Sequence, residues 1–476
     1  MKRIAIIGGG ISGLAAAFAL ETHRRGGVAL DYSLFESSPR LGGVLLTEHI
    51  DGCLVEAGPD SFLTEKPWAS DLCREIGLGD QLIGSNDGER KTYILAKNRL
   101  VPIPDGLMFM VPTKILPVIW SPLFSASTKF RMMREWFHPP KKSSADESVT
   151  SFVERHYGPE MVDRLADPLL SGVYGGQASQ LSLRAVLPRF AEMEARHGSL
   201  GRAMLSARRK APAPAAARPL FTSLKDGMQQ MVEAVVSHLA ASSLHINTSV
   251  QALQRQDSGW LVSAGYASDQ FDAVILATSA QDAAQLGLPD ELRRSLGEIE
   301  YTSSVTIALA YDQQVRRSLP AGFGFLVPRS EGRRLLAVTF VHNKFPHRAP
   351  EDRALLRCFL GSARDQTLLD VPDDEMVNVV RQELRQILSL TAEPLFTRVY
   401  KWKDAMAQYN VGHIERIQAI EQACRELPGL ALAGNAYHGI GVPDCVRSGA
   451  DAAANVLKSL GLLQPESSAL AARLLP

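Results

Sequence analysis

One six-residue turn near the amino terminus limits the possible folds more than any other feature of the chain. Gly8-Gly9-Gly10-Ile11-Ser12-Gly13 fits G-x-G-x-x-G at Gly8, Gly10 and Gly13. Arg3-Ile4-Ala5-Ile6-Ile7 precedes it, an apolar run of the kind shown by a strand buried on both faces. Ile11, Leu14, Ala15, Phe18 and Ala19 follow at helical spacing. Each glycine has a separate task. Gly8 allows the tight turn, Gly10 lets a pyrophosphate approach the backbone, and Gly13 lets helix and strand pack closely. The helix N-terminus then offers free N–H groups and partial positive charge to the phosphates.

The context strengthens the motif. Ala29–Phe35 reads as a second strand closed by Glu36, twenty-three residues after Gly13. That is near the spacing expected of a carboxylate on the adenosine ribose, the alternative being a solvated strand end. Arg40-Leu41-Gly42-Gly43 follows, and then Gly58-Pro59-Asp60-Ser61. A glycine pair permits a close backbone approach to a ligand, the alternative being an ordinary hairpin turn. Placed after the ribose acid, Arg-x-Gly-Gly resembles the flavoproteins that include amine oxidases and phytoene desaturases. The resemblance implies bound FAD, with Arg40, Gly42 and Gly43 beside its phosphates and ribityl chain.

At 476 residues the chain exceeds one ordinary core, so two or three domains are expected. Lys+Arg and Asp+Glu are both 51, which leaves no global charge for nucleic acid. The five cysteines (Cys53, Cys73, Cys358, Cys424, Cys445) form no C-x-x-C and read as buried thiols in a reducing compartment. Lys2-Arg3 before an apolar stretch imitates a secretory signal, but the glycines needed by the nucleotide turn interrupt it. No stretch reaches the ~18 apolar residues of a membrane span.

Further along, Gly106–Arg134 is rich in large apolar residues, and its only charges after Asp105 are Lys114, Lys129, Arg131 and Arg134. This suits a surface that dips into an anionic bilayer, and equally an internal cavity lining or core. Residues 208–219 read as a linker. A helix from Met228 to about Ala240 and a buried strand at Phe271–Thr278 return the chain to the nucleotide domain, which is therefore discontinuous. From about Leu292 to Ala423 the pattern predicts a mostly antiparallel sheet with a helix over Asp374–Leu388. The last piece mirrors the first: strand Gly429–Asn435, a glycine loop, then a helix near Val442-Pro443, where proline is preorganised for the first turn. Such an N-terminus would point N–H groups at the electron-rich end of a flavin ring.

Together, Gly58-Pro59-Asp60-Ser61-Phe62, Ser171-Gly172-Val173-Tyr174, Leu224-x-x-Gly227-Met228, Gln408-Tyr409-x-x-Gly412-His413 and Gly434-Asn435 with Gly439-x-Gly441-Val442-Pro443-Asp444-Cys445 resemble the oxygen-dependent protoporphyrinogen oxidase family. That family includes bacterial enzymes acting on coproporphyrinogen III. The resemblance runs from Arg3 to about Leu457. It implies an α/β fold with a discontinuous Rossmann-like FAD-binding domain of the p-cresol-methylhydroxylase or amine-oxidase type, an α+β substrate domain and a helical membrane-associating domain. The expected boundaries are 1–90, 219–290 and 424–476 for FAD, 91–210 for the helical substrate-access domain, 211–218 for the linker and 291–423 for the substrate domain.

Carried over by residue, the implied FAD sites are Gly8, Gly9, Gly10, Ile11, Ser12, Gly13, Glu36, Arg40, Gly42, Gly43, Gly58, Pro59, Asp60, Ser61, Val250, Trp402, Gly441, Val442 and Pro443. Arg99 resembles the arginine that meets a substrate propionate, against the alternative of a surface arginine. Gly172 resembles the glycine whose carbonyl faces the macrocycle, and Leu326 lines the cavity. Ala407 stands where the family usually has proline, a departure expected to loosen that loop. The implied reaction is six-electron oxidation of protoporphyrinogen IX, or alternatively coproporphyrinogen III, in heme biosynthesis, with oxygen as acceptor and hydrogen peroxide as product. No residue is assigned as catalytic acid or base and no metal is expected, His342 and His347 being loosely placed. Expected partners are the porphyrinogen, oxygen, a peripheral membrane surface and a second copy in a homodimer, in the cytoplasm or on the inner membrane face. Two other classes are weighed. A flavin amine oxidase would carry Trp-x-Gly-Tyr where Ala436-Tyr437-His438-Gly439 stands, and a binding protein on this fold, like the Rab-escort relatives, would hold no flavin.

Overall fold

A computed structural model describes residues 1–108, 110–141, 145–210, 218–361 and 366–463. The expected linker at 211–218 lies outside the described residues but for Arg218. The chain opens with β1 (Lys2–Ile7), α1 (Ile11–Arg25) and β2 (Leu30–Phe35). A hairpin follows, β3 (Thr92–Ala96) and β4 (Arg99–Pro102). Next come α2 (Ile115–Trp120), α3 (Ala126–Glu135), α4 (Val149–Tyr157), α5 (Asp167–Tyr174) and α6 (Pro188–His197). Then come β5 (Leu244–His245), β6 (Ala273–Leu276), β7 (Tyr301–Asp312), β8 (Gly324–Leu326), β9 (Leu335–Phe340) and β10 (Arg353–Leu360). The chain continues through α7 (Asp373–Leu388), β11 (Phe396–Ala407), β12 (Leu430–Leu432) and α8 (Val442–Ser459).

Two sheets organise these elements. The first is parallel throughout, in the order β5-β2-β1-β6-β12, so its strands come from the beginning, middle and end of the chain. Its apolar runs are buried on both sides, as the continuous pattern in β1 requires. Ile4 and Ile6 face Leu14 and Leu20 of α1 and Val446, Ala453 and Val456 of α8. Ala5 and Ile7 face Leu253, Trp260 and Leu276 on the other side. Each large side chain so buried contributes about 1.5–3 kcal/mol.

The second sheet runs β11-β7-β10-β9-β8-β3-β4 and is antiparallel except between β8 and β3. The hairpin β3–β4, which opens the 91–210 segment, is thus a sheet edge, and the helices follow it. Those helices form their own core around Phe152, Val153, Leu165 and Leu170, with Ile94 of β3 in the same cluster. His156 is buried there between Glu135 and Glu194, 3.3 and 3.1 Å away. Burial opposes its charge, but the two carboxylates prevail and hold its pKa above the ordinary value. No helix among the described residues is long and apolar enough to cross a membrane.

Candidate active site

The glycine turn after β1 is built as its sequence demands. Gly8 has φ +108°, and a Cβ on Gly13 would lie 1.9 Å from the Gly8 carbonyl oxygen. Only glycine satisfies both positions. Gly10 ends the turn in extended backbone and no side chain caps α1, so the N–H groups of Ile11, Ser12 and Gly13 are left for a ligand. A Cβ on Gly10 would meet nothing within 4 Å, which marks open space above the turn.

The acid closing β2 stands beside that space. Glu36 accepts from the Gly9 N–H at 2.7 Å and the Ser38 N–H at 2.8 Å. Gly42 donates its N–H to the Gly9 carbonyl at 2.8 Å, and Gly43 packs over Gly10. The Arg40 guanidinium donates to the carbonyls of Leu41, Gly43 and Leu45, so it shapes this second loop. Val250 opens its strand two residues after Thr248, whose N–H donates to the Glu36 carbonyl at 2.8 Å.

Gly58 is clamped from two sides. A Cβ there would sit 1.9 Å from the Val44 carbonyl oxygen. Trp402 Nε1 donates to the Ala57 carbonyl at 2.9 Å, and Arg357 Nη2 to the Gly58 carbonyl at 2.5 Å. Beyond Pro59, the side chains of Asp60 and Ser61 turn toward Lys344, whose Nζ lies 3.0 and 3.1 Å from them. Burial alone would raise the Asp60 pKa, but Lys344, Arg357 and Arg348 overcome it and hold the carboxyl well below the ordinary range.

The carboxyl-terminal helix meets the amino-terminal one directly. Gly441 precedes α8 in extended backbone, Pro443 lies in the first turn, and no side chain caps this helix either. A Cβ on Gly449 would lie 2.1 Å from the Ser12 carbonyl oxygen, so α8 and α1 touch backbone to backbone. Asp444 is buried in the first turn of α8 and paired with Lys66 at 2.6 Å. The Tyr409 hydroxyl accepts from the Gly439 N–H at 2.7 Å and donates to the Asn435 carbonyl at 2.8 Å, fixing the loop before α8.

The helical unit reaches the same place through α5. Tyr174 is half-buried with its ring 5.8 Å from that of Tyr409, and burial pushes its hydroxyl up to about 12. Gly172 is exposed, with open space where a Cβ would stand. The register sets Arg99 opposite Ala96, on the face shared with Ile94 and its partner Leu326, which packs against the helical core. Arg99 itself is exposed. The expected loosening at Ala407 is not found. Ala407 is fully buried and ends β11 opposite Tyr301, and the next residue, Gln408, donates its N–H to the Glu300 carbonyl at 2.8 Å, so the chain is held in the ladder at this point. The Gln408 amide then donates to the Tyr174 carbonyl at 2.6 Å.

Sequence reading missed Lys344, Arg348 and Arg357, which lie on and between β9 and β10 and meet only under Gly58. The other candidates settle elsewhere. His342 is buried against Leu355, His413 stacks on Tyr409 at 3.9 Å, and His438 pairs with Glu421 at the surface. His138, His156 and Glu194 are close enough for a metal, but His156 and Arg155 already share Glu194.

Two uncapped helix N-termini that donate N–H groups, a carboxylate at the end of β2 that accepts from hydroxyls, and a glycine cradle open above Gly10 are what a dinucleotide with a pyrophosphate and a ribose diol requires, so the residues fit FAD. Residues 11–457 match the family model of flavin containing amine oxidoreductases. The chain belongs to that family. Its cofactor is FAD. It is 34% identical over 466 residues to coproporphyrinogen III oxidase of Bacillus subtilis, covering 96% of this chain and 98% of the relative. It is 29% identical to protoporphyrinogen oxidase 2 of Arabidopsis thaliana, covering 96% and 94%. A solved structure described as a candidate protoporphyrinogen oxidase from Exiguobacterium superposes with TM-score 0.86 at 31% identity, covering 97% and 99%. Within the family, the chain groups with the porphyrinogen oxidases.

Proposed function

We propose that this flavoenzyme oxidises a porphyrinogen to the porphyrin, with protoporphyrinogen IX as substrate and oxygen as acceptor. The carrying observation is the backbone contact of Gly449 with Ser12, which packs α8 against the first turn of α1 while both helix N-termini are left uncapped by side chains. Bound FAD supplies a hydride acceptor at N5 that oxygen restores, giving hydrogen peroxide. The chain's own part is to bind, orient and exclude water. Residues 8–13, Glu36, Arg40, Gly42, Gly43, Gly58–Ser61, Val250, Trp402 and 441–443 hold the cofactor. Gly172, Tyr174 and Leu326 border the substrate space, and Arg99 meets a propionate. Burial pushes the Tyr174 hydroxyl up to about 12, so it stays protonated at neutral pH and removes no proton. Six electrons must leave, so the reaction takes three two-electron rounds, for each of which the chain supplies binding and orientation.

A second reading, coproporphyrinogen III, is favoured by the names of three relatives above 30% identity, from Bacillus subtilis, Staphylococcus aureus and Propionibacterium freudenreichii. Incubating the FAD-loaded protein with each porphyrinogen, and following porphyrin fluorescence, separates the two. Porphyrin from neither, above the spontaneous rate, would reject the reading.

The helical unit carries a peripheral membrane surface in this proposal. Trp120 at 82% and Phe137 at 81% exposure stand with exposed Leu116, Ile119, Phe130 and Met133 beside Arg131 and Arg134. A large apolar patch rimmed by cations suits an anionic bilayer. Sedimentation with anionic vesicles, lost in Trp120→Ser/Phe137→Ser, is the expected result, and equal sedimentation of the variant refutes it. The boundaries 1–90, 219–290 and 424–476 for FAD, 91–210 and 291–423 stay part of this proposal, as does a homodimer, for which light scattering gives the mass.

A further inference from the structure

Around the Gly58–Ser61 segment lies a set of buried charges of which only Asp60 has a binding role above. Three cations, Lys344, Arg348 and Arg357, face two carboxylates, Glu56 and Asp60, leaving one net positive charge. The side chain of Arg348 is wholly buried and that of Arg357 is 3% exposed. Arg348 Nη2 donates to Glu56 at 3.1 Å, the Asp60 carbonyl at 3.1 Å and Ser223 at 2.6 Å. Yet Nε and Nη1 of Arg348 and Nε of Arg357 have no acceptor among the described residues. Aromatic rings wall the cations in, Phe221 over Lys344 at 4.5 Å, Phe345 over Arg348 at 4.5 Å and Phe359 over Arg357 at 5.0 Å.

Burial pushes the Glu56 carboxyl up, and against it the acid accepts from three donors that favour its charged form, the Met228 N–H at 2.8 Å, Thr47 at 2.8 Å and Arg348. A surplus buried cation is costly by itself and calls for compensating negative charge nearby. Arg357 reaches through its bond to the Gly58 carbonyl onto the segment assigned to the cofactor.

We propose that this cluster raises the electron affinity of the flavin, by holding one buried positive charge beside the segment assigned to FAD. The inference rests on the assignment of Gly58–Ser61 to FAD. On reduction, oxidised flavin takes two electrons and one proton, and so gains one negative charge. One unit charge within about 10 Å, at an effective dielectric near 20, shifts such an equilibrium on the order of tenfold. For a two-electron couple tenfold is about 30 mV.

The test loads wild type, Arg357→Met, Arg357→Lys and Glu56→Gln with FAD and reduces each with xanthine and xanthine oxidase against a reference dye. FAD content and melting temperature are recorded for all four. Arg357→Met is expected to be about tenfold harder to reduce, a potential lower by about 30 mV. Arg357→Lys, which keeps the charge, stays within twofold of wild type, and Glu56→Gln becomes easier to reduce. A purely structural cluster would lower the melting temperatures without this ordering by charge, and equal potentials across the four overturn the proposal. If Arg357→Met does not retain FAD, Lys344→Met takes its place with the same expected shift. A wild-type chain that binds no FAD refutes the site assignment itself, and the proposal falls with it.

Discussion

Replacing Gly449 with alanine tests whether the two ends of the chain must touch. The new methyl would lie 2.1 Å from the Ser12 carbonyl oxygen, 3.0 Å from Ala15 Cβ and 3.0 Å from the Ala16 nitrogen. The first approach is roughly 1 Å too close for non-bonded atoms, and it is made to backbone, which cannot swing aside. The helices α1 and α8 must therefore part by about that distance. Overpacking of this kind costs about 1–3 kcal/mol, and the better helix propensity of alanine returns about 1 kcal/mol. The net loss is about 0–2 kcal/mol, but the larger effect falls on the cofactor. Both helix N-termini shift relative to one ligand, so FAD affinity should drop by about tenfold to a hundredfold. Titration of the FAD-free protein, followed by flavin fluorescence quenching, reads this directly. Gly297→Ala, where a Cβ meets nothing within 4 Å, is the control and should leave affinity unchanged. Equal FAD affinity in Gly449→Ala and wild type would refute the reasoning.

Glu36→Ala removes a carboxylate that organises the turn through two N–H donors. Charge-assisted bonds of about 1.5–3 kcal/mol predict FAD binding weakened by about tenfold to a hundredfold in the same titration. Arg99→Ala should raise the Michaelis constant more than it changes turnover, and an unaltered constant removes Arg99 from the substrate site. Because the folded-state pKa of His156 lies above the ordinary 6.5, its ion pairs stabilise fully below that pH and are lost as pH rises through the raised value. The melting temperature of wild type should therefore fall above pH 6.5 more steeply than that of His156→Gln, and parallel curves would exclude His156 as the cause.

What could be read from sequence was what local spacing encodes. Gly8, Gly10, Gly13 and Glu36 lie within one strand–helix–strand unit, so their period and order suffice to place them. The mirrored turn at 441–443 was readable for the same reason, because Pro443 and the small residues of α8 follow at helical spacing. The edge hairpin β3–β4 was not, since its partner β8 lies more than two hundred residues away and only the parallel register of Ile94 with Leu326 joins them. Arg348 and Arg357 were invisible for a related reason. An arginine in an apolar strand, as Arg357, or in a turn beside one, as Arg348, gives no sign of whether it reaches water or a carboxylate from a distant loop. Ala407 failed in the other direction, since a family departure was read as a looser loop where the strand simply continues.

Hydrogen exchange, measured by mass spectrometry during FAD titration, tests most directly that one flavin is held by both ends of the chain. Slowed exchange at residues 10–14 and at 442–446, rising together and saturating at one FAD per chain, is the predicted result. Protection at the amino-terminal turn alone, with the carboxyl-terminal turn exchanging as before, would contradict it.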